Sequence, residues 1–197
     1  WWPHLGRIDL DVTPADAGTA TTTDRGAATY FSGGVDSFYS LLKHRAGHGG
    51  LPVRLTHVIF MRGVETRLEL TRGVEDTERW IRDVAAHAGV TPIIGESNFR
   101  TVLQGPEENL HWERHYHGSA LAAIALPLSR SLAFVCIPSA FSYNHLVAHG
   151  STPLVDEMFS TESLQILHDG AEATRATKVS RIIEWDRELV LRFARGL

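Results

Sequence analysis

The sequence predicts an α/β protein, a three-layer α/β/α arrangement on a mostly parallel sheet of about five strands. Three observations carry that prediction. Short apolar runs alternate with longer amphipathic segments along most of the chain, the pattern of strands joined by helical crossovers. The first apolar run, Thr29-Tyr30-Phe31, passes through Ser32-Gly33-Gly34 directly into a segment of helical periodicity, which is a strand-turn-helix unit. The chain has 197 residues, 43% of them hydrophobic and 21% charged, enough for one full core.

Taken in order, Trp1 to Leu10 reads as a strand or as the tail of a preceding domain, and Val12 to Gly26, rich in Thr, Ala, Asp and Gly, reads as a linker. Residues 1–26 are thus expected to be an N-terminal segment outside a domain at 27–197. The chain opens without Met and stops directly after a helical pattern, and is expected to be an excerpt of a longer protein. Ala27, Ala28, Tyr30 and Phe31 suit a buried strand, and Val35, Phe38, Leu41 and Leu42 recur at helical spacing until Gly47. Val53 to Phe60 is a second apolar strand. Gly63 to Gly89 carries a long helical pattern with Val74, Ile81, Val84, Ala85 and Ala88 on one face. Thr91 to Gly95 is a third strand, Tyr116 to Leu128 an apolar helix, Leu132 to Ile137 a fourth strand, Leu164 to His168 a fifth, and Gly170 to Trp185 helical. Strands alternating with helices imply right-handed crossovers, with function along the carboxyl ends of the strands. There are no internal repeats.

The net charge of −4 and the lack of a basic patch weigh against a nucleic-acid partner. No apolar run is long enough to span a bilayer and no signal peptide is recognisable, so a cytoplasmic protein without membrane partners is expected. The single cysteine, Cys136, is expected to exclude both an intrachain disulfide framework and a Cys-based zinc site within this chain. It lies in the apolar run Phe134-Val135-Cys136-Ile137, where a thiol is usually a small buried hydrophobe.

The chemistry concentrates at Ser32-Gly33-Gly34-Val35-Asp36-Ser37. Two glycines let the backbone turn sharply and approach a ligand, two serines add hydroxyls, and the new helix aims unpaired N–H groups at the same point, so a pyrophosphate fits there. No GxxxxGK[ST] run is present, and γ-phosphate chemistry has no support. The six residues resemble the SGGxDS signature of the PP-loop ATP pyrophosphatases, the superfamily of asparagine, GMP, NAD and argininosuccinate synthetases and 7-cyano-7-deazaguanine synthase. Further likeness, at His117-Gly118-Ser119-Ala120-Leu121-Ala122-Ala123 and from Gly150 to Lys178, is to a little-characterised bacterial branch whose members also carry N-terminal sequence and a downstream cysteine cluster not found here. The resemblance implies a Rossmann-like fold of the adenine nucleotide alpha hydrolase type, with ATP and Mg²⁺ as cofactors and cleavage between the α- and β-phosphates. AMP would be placed on a carboxylate or carbonyl oxygen of a small-molecule acceptor, and a nitrogen donor would then displace it.

On that resemblance Ser32, Gly33, Gly34, Val35, Asp36 and Ser37 are expected to bind the nucleotide, with Asp36 orienting the metal or the loop, and Phe60 and Met61 are expected near adenine through backbone groups. Phe60-Met61-Arg62 reads equally as core and solvated Arg, and Asn98 and Arg100 after the third strand as solvated. Arg175 and Lys178, three apart on one helical face after His168-Asp169-Gly170, are expected to supply positive charge to the phosphates, with Asp169 capping that helix and Arg181 a solvated continuation of the row. His111-Trp112-Glu113-Arg114-His115-Tyr116-His117 does not follow HExxH spacing, so zinc is not expected there. His117 and Ser119 open a helix and stand as substrate contacts or as plain caps. Asp156-Glu157, two adjacent carboxylates, would hold Mg²⁺ through water or receive an amine nucleophile, or else form a solvated acidic loop. The leading expectation is an ATP-dependent, AMP-forming ligase or amidating enzyme. Sulfur insertion and non-catalytic nucleotide sensing are the alternatives, and a homo-oligomer is compatible with all three.

Overall fold

The continuous apolar run at Ala27–Phe31 has no polar face to give to water, and in the computed structural model, which describes residues 25–64, 73–102 and 110–193, it lies at the centre of the sheet. The sheet has five strands in the order β3-β2-β1-β4-β5: β1 (Gly26–Tyr30), β2 (Leu55–Arg62), β3 (Thr91–Glu96), β4 (Leu132–Pro138) and β5 (Gln165–Asp169). Every neighbouring pair is parallel, with Thr29 opposite Val58 on one side and Cys136 on the other. Period-2 alternation sends Ala27 and Phe31 to one face of the sheet and Ala28 and Tyr30 to the other, and each face is covered by helices.

On the first face lie α1 (Val35–Arg45), α2 (Val74–Ala88), α5 (Arg175–Trp185) and α6 (Arg187–Phe193), which bury Phe38, Leu41, Ile81, Val84, Ile182 and Leu189 against β1 and β2. A short α3 (Phe99–Val102) follows β3. On the second face lies α4 (His117–Ala125), which packs Ala120, Leu121 and Ala125 with Tyr30, Val135 and Ile137. The arrangement is a three-layer, Rossmann-like α/β fold. No helix among the described residues is long and apolar enough to cross a membrane.

Where element bounds differ from the sequence reading, local hydrogen bonding supplies the reason. The helix expected from Tyr116 begins as a π-turn at Trp112–Tyr116, because the Gly150 peptide enters the ladder: Gly150 N–H donates to Glu113 O and Gly118 N–H to Gly150 O, each at 2.8 Å. Only glycine fits, since a Cβ on Gly150 would stand 2.8 Å from backbone atoms of His115, Tyr116 and His117. The helix expected from Gly170 begins at Arg175, capped by Thr174, whose hydroxyl accepts from Thr177 N–H; Asp169 does not cap it. The long pattern from Gly63 becomes helical at Val74, and its stretch 65–72 lies outside the described residues. The N-terminal segment 1–24 also lies outside them, while Arg25 and Gly26 already belong to the fold: β1 starts at Gly26, and Arg25 donates to Ser129 O.

Candidate functional site

Strand order reverses between β1 and β4, so the chain leaves these neighbours in opposite directions and opens a crevice at their carboxyl ends. A cavity of about 120 Å³ occupies it, lined from the β1 loop by Ser32, Asp36 and Ser37, from α4 by His117 and Leu121, and from β4 by Ile137 and Pro138. That volume suits a phosphate or a small nucleophile and falls short of a whole nucleotide.

The loop is held in one shape by its own polar atoms. Gly33 sits at φ 84, and a Cβ there would stand 2.4 Å from the Trp80 ring, so both conformation and space demand glycine. Ser37 Oγ accepts from Gly33 N–H at 3.0 Å and donates to Gly34 O at 2.9 Å, which closes the turn. Gly34 is the N-cap of α1 and offers no side chain to the first turn, which leaves the N–H groups and the positive end of the helix facing the crevice. Val35 turns inward and is buried.

Asp36 is paired by two cations from α5. Lys178 Nζ lies 2.7 Å from Asp36 Oδ1 and donates to Ser139 O at 2.5 Å; its side chain is almost wholly enclosed. Arg175 Nη1 approaches Asp36 Oδ2 to 3.8 Å from a side chain that is 69% exposed. From Ser139 a line of hydrogen bonds runs inward. Ser139 Oγ meets His168 Nε2 at 2.7 Å, and Asp156 Oδ2 accepts from His168 Nδ1 at 2.7 Å and from Ser151 Oγ at 2.6 Å. The loop after β1 and the segment around Asp156 are thereby joined through buried side chains.

His117 enters the same cavity from the start of α4. Burial, with His149 nearby, pushes its imidazole down to about 4 against the opposing pull of Asp156, so it is neutral near pH 7. Its Nδ1 is buried without a hydrogen-bond partner. Asp156 Oδ1 is likewise unpartnered and lies so near α4 that a Cβ on Gly118 would come within 2.1 Å of it.

The structure brings Ser32, Gly33, Gly34, Asp36, Ser37, Arg175, Lys178 and His117 to one end of the sheet, and it disposes the other candidates differently. Asp156 and Glu157 do not act as a pair: Asp156 is fully buried and Glu157 exposed. Asp156 is fully enclosed with both of its hydrogen bonds on Oδ2, whereas Asp36 is partly exposed and could reach a metal ion at the crevice. Ser119 Oγ donates back to Tyr116 O at 3.0 Å, and no side chain caps the start of α4, so Ser119 does not cap the helix. Phe60 and Met61 are buried in opposite core clusters, so only their backbone could face a base. Arg100 donates to Val64 O and covers the Trp112 ring, Arg62 pairs with Glu96, and Arg181 pairs with Glu184 in solvent. His111 and His115 bond within their own turn, His111 N–H donating to His115 Nδ1.

Ser139 and His168 are the positions that sequence reasoning passed over as site residues. Their signal was placement, since each stands where a strand ends, Ser139 one residue past β4 and His168 next to last in β5. No family model matches the chain, and no curated protein matches it.

Proposed function

We propose that the chain is a PP-loop ATP pyrophosphatase that works as an AMP-forming ligase, adenylating an oxygen of a small-molecule acceptor and releasing pyrophosphate before a nitrogen nucleophile displaces AMP. The observation that carries the reading is the joining of Ser32–Ser37 to a buried lysine: a rigid turn at a helix N-terminus with Lys178 held by Asp36 and Ser139 O. Helix N–H groups and a fixed cation suit a leaving pyrophosphate, whose charge grows as the α–β bond breaks.

In this reading the loop binds the β- and γ-phosphates. Asp36 holds Lys178 in place and offers its free edge to Mg²⁺, which when bound would neutralise phosphate charge. Arg175, exposed at the rim, closes on the phosphates from solvent. His117 lines the cavity and is held neutral by burial, a group able to accept a proton from an amine as it attacks. Sulfur insertion through a cysteine of the described chain is disfavoured, because Cys136 is fully enclosed and burial raises its thiol well above its ordinary value.

The test is mass spectrometry after incubation with ATP, Mg²⁺ and a small-molecule extract. AMP, pyrophosphate and a new amidated product are expected. ADP and phosphate as the main products would overturn the proposal.

A further inference from the structure

Away from the crevice, between α1 and the two strands β4 and β5, three metal-ligating side chains converge. His44 stands in the last turn of α1, Cys136 in the middle of β4 and Asp169 at the end of β5. His44 Nε2 lies 3.6 Å from Cys136 Sγ and 3.1 Å from Asp169 Oδ2, and the three donor atoms lie within 4.8 Å of one another. All three residues are buried, Cys136 completely and the other two at 9% exposure or less.

Direct polar contacts already join the three side chains through His44 Nε2, which lies within hydrogen-bond range of Cys136 Sγ and pairs with Asp169 Oδ2. Asp169 Oδ1 is taken by Lys43 Nζ at 2.6 Å, which also pairs with Glu172. Asp169 Oδ2 points into the cluster and has no hydrogen-bond partner, although His44 Nε2 is close by. The pairing of Asp169 Oδ2 with His44 Nε2 is by proximity at 3.1 Å and not by an aligned hydrogen bond, which leaves the oxygen open to a ligand or ion.

We propose that His44, Cys136 and Asp169 bind one divalent transition-metal ion of the zinc class, which fastens α1 to β4 and β5. Tetrahedral zinc with bonds of about 2.0–2.3 Å has ligands separated by about 3.3–3.7 Å, close to the two distances found here. Thiolate, imidazole and carboxylate together suit zinc and its neighbours and suit neither Mg²⁺ nor Ca²⁺. The thiol loses its proton to solvent as the metal–sulfur bond forms, and the resulting thiolate and Asp169 balance the ion's two charges. Lys43 keeps the second Asp169 oxygen fixed, so Oδ2 is already aimed. The proposal is independent of the nucleotide reading: it concerns the far end of the helix that begins at the Gly34 cap.

The experiment is elemental analysis of the full chain as purified, followed by chelation and titration of the stripped protein with Co²⁺ and Zn²⁺. One equivalent of metal is expected, together with thiolate-to-cobalt charge-transfer absorption that disappears in Cys136→Ser. Metal at 100-fold above its dissociation constant should raise the melting temperature of the wild type by about 5–10 °C, and that of Cys136→Ser and His44→Gln by much less. Absence of charge-transfer absorption in the wild type would overturn the proposal whether or not the variants fold, and so would equal metal affinity in wild type and a folded Cys136→Ser.

Discussion

Lys178→Met keeps the length and apolar stem of the side chain and removes only the ammonium, which makes it the sharpest probe of the crevice. The change leaves Asp36 with a single exposed cation at 3.8 Å and leaves Ser139 O without its donor. Breaking an enclosed ion pair costs about 3–5 kcal/mol, but Asp36 is 22% exposed and water can replace part of the loss. A figure of about 2 kcal/mol follows, nearer the value of a hydrogen bond to a charged group. For a chain of this length that corresponds to a fall of about 4–8 °C in melting temperature. The argument concerns a pair, so the decisive assay is a cycle of wild type, Asp36→Asn, Lys178→Met and the double variant, followed by urea denaturation. A coupling of about 1–2 kcal/mol is expected, the double variant losing less than the sum of the singles. Strict additivity within about 0.5 kcal/mol would refute the claim that Asp36 and Lys178 hold one another. If the proposed chemistry is right, Lys178→Met also lowers turnover by about 10²- to 10³-fold while Arg181→Ala changes little.

Gly33→Ala forces a side chain into the left-handed region and against Trp80, and should cost about 1–3 kcal/mol by denaturation together with most nucleotide affinity; unchanged stability would mean the loop is looser than its geometry. Gly150→Ala should expel the peptide from the start of α4 and convert the π-turn toward regular helix, read as lost amide-exchange protection at Gly118; retained protection would sink that account. His117 is held neutral with its value depressed from 6.5 to about 4, so the unfolded chain takes up the proton first; stability is full above about pH 6.5 and falls as pH drops toward 4, by up to about 3 kcal/mol. His117→Gln should flatten that limb, leaving a shallow slope from His57, which burial also lowers; parallel wild-type and variant curves would refute it.

The strands were legible because parallel strands buried on both faces are written as short unbroken apolar runs, and Ala27–Phe31 and Leu132–Ile137 are of that kind. The loop was legible because its demands are local: glycine at a positive φ, serines that close the turn, and a helix immediately after. The burial of Asp156 was not legible. An acidic pair in a polar stretch reads as solvent-facing, and only the insertion of Gly150 into the start of α4 carries Ser151 and Asp156 under cover. For the same reason the His44, Cys136 and Asp169 cluster has no signature, since its members come from α1, β4 and β5 and meet only when β4 and β5 pair and α1 packs across them.

The line from Lys178 through Ser139 and His168 to Asp156 bears on which residues can meet a ligand and which can only hold those that do. Ser32, Asp36, Ser37 and His117 line the cavity; Ser139, His168 and Asp156 are not among its walls and touch it through others. Lys178 is fixed from both sides, by Asp36 in front and Ser139 O behind, so its ammonium has little freedom to move. A fixed cation stabilises charge only where it is aimed, which is why preorganisation and not mobility is what this arrangement offers. His168, bonded at both ring nitrogens, fixes the Ser139 hydroxyl, while the Ser139 carbonyl that receives Lys178 is anchored by the neighbouring backbone: Ser139 N–H donates to Asp169 O at 2.7 Å. Two consecutive residues of β5 thus serve the two ends of the molecule's polar interior, His168 toward the crevice and Asp169 toward Lys43 and the base of α1. Period-2 alternation puts these neighbours on opposite faces of the sheet, so one strand end can support the cavity on one face and the cluster on the other without either group competing for the same partner.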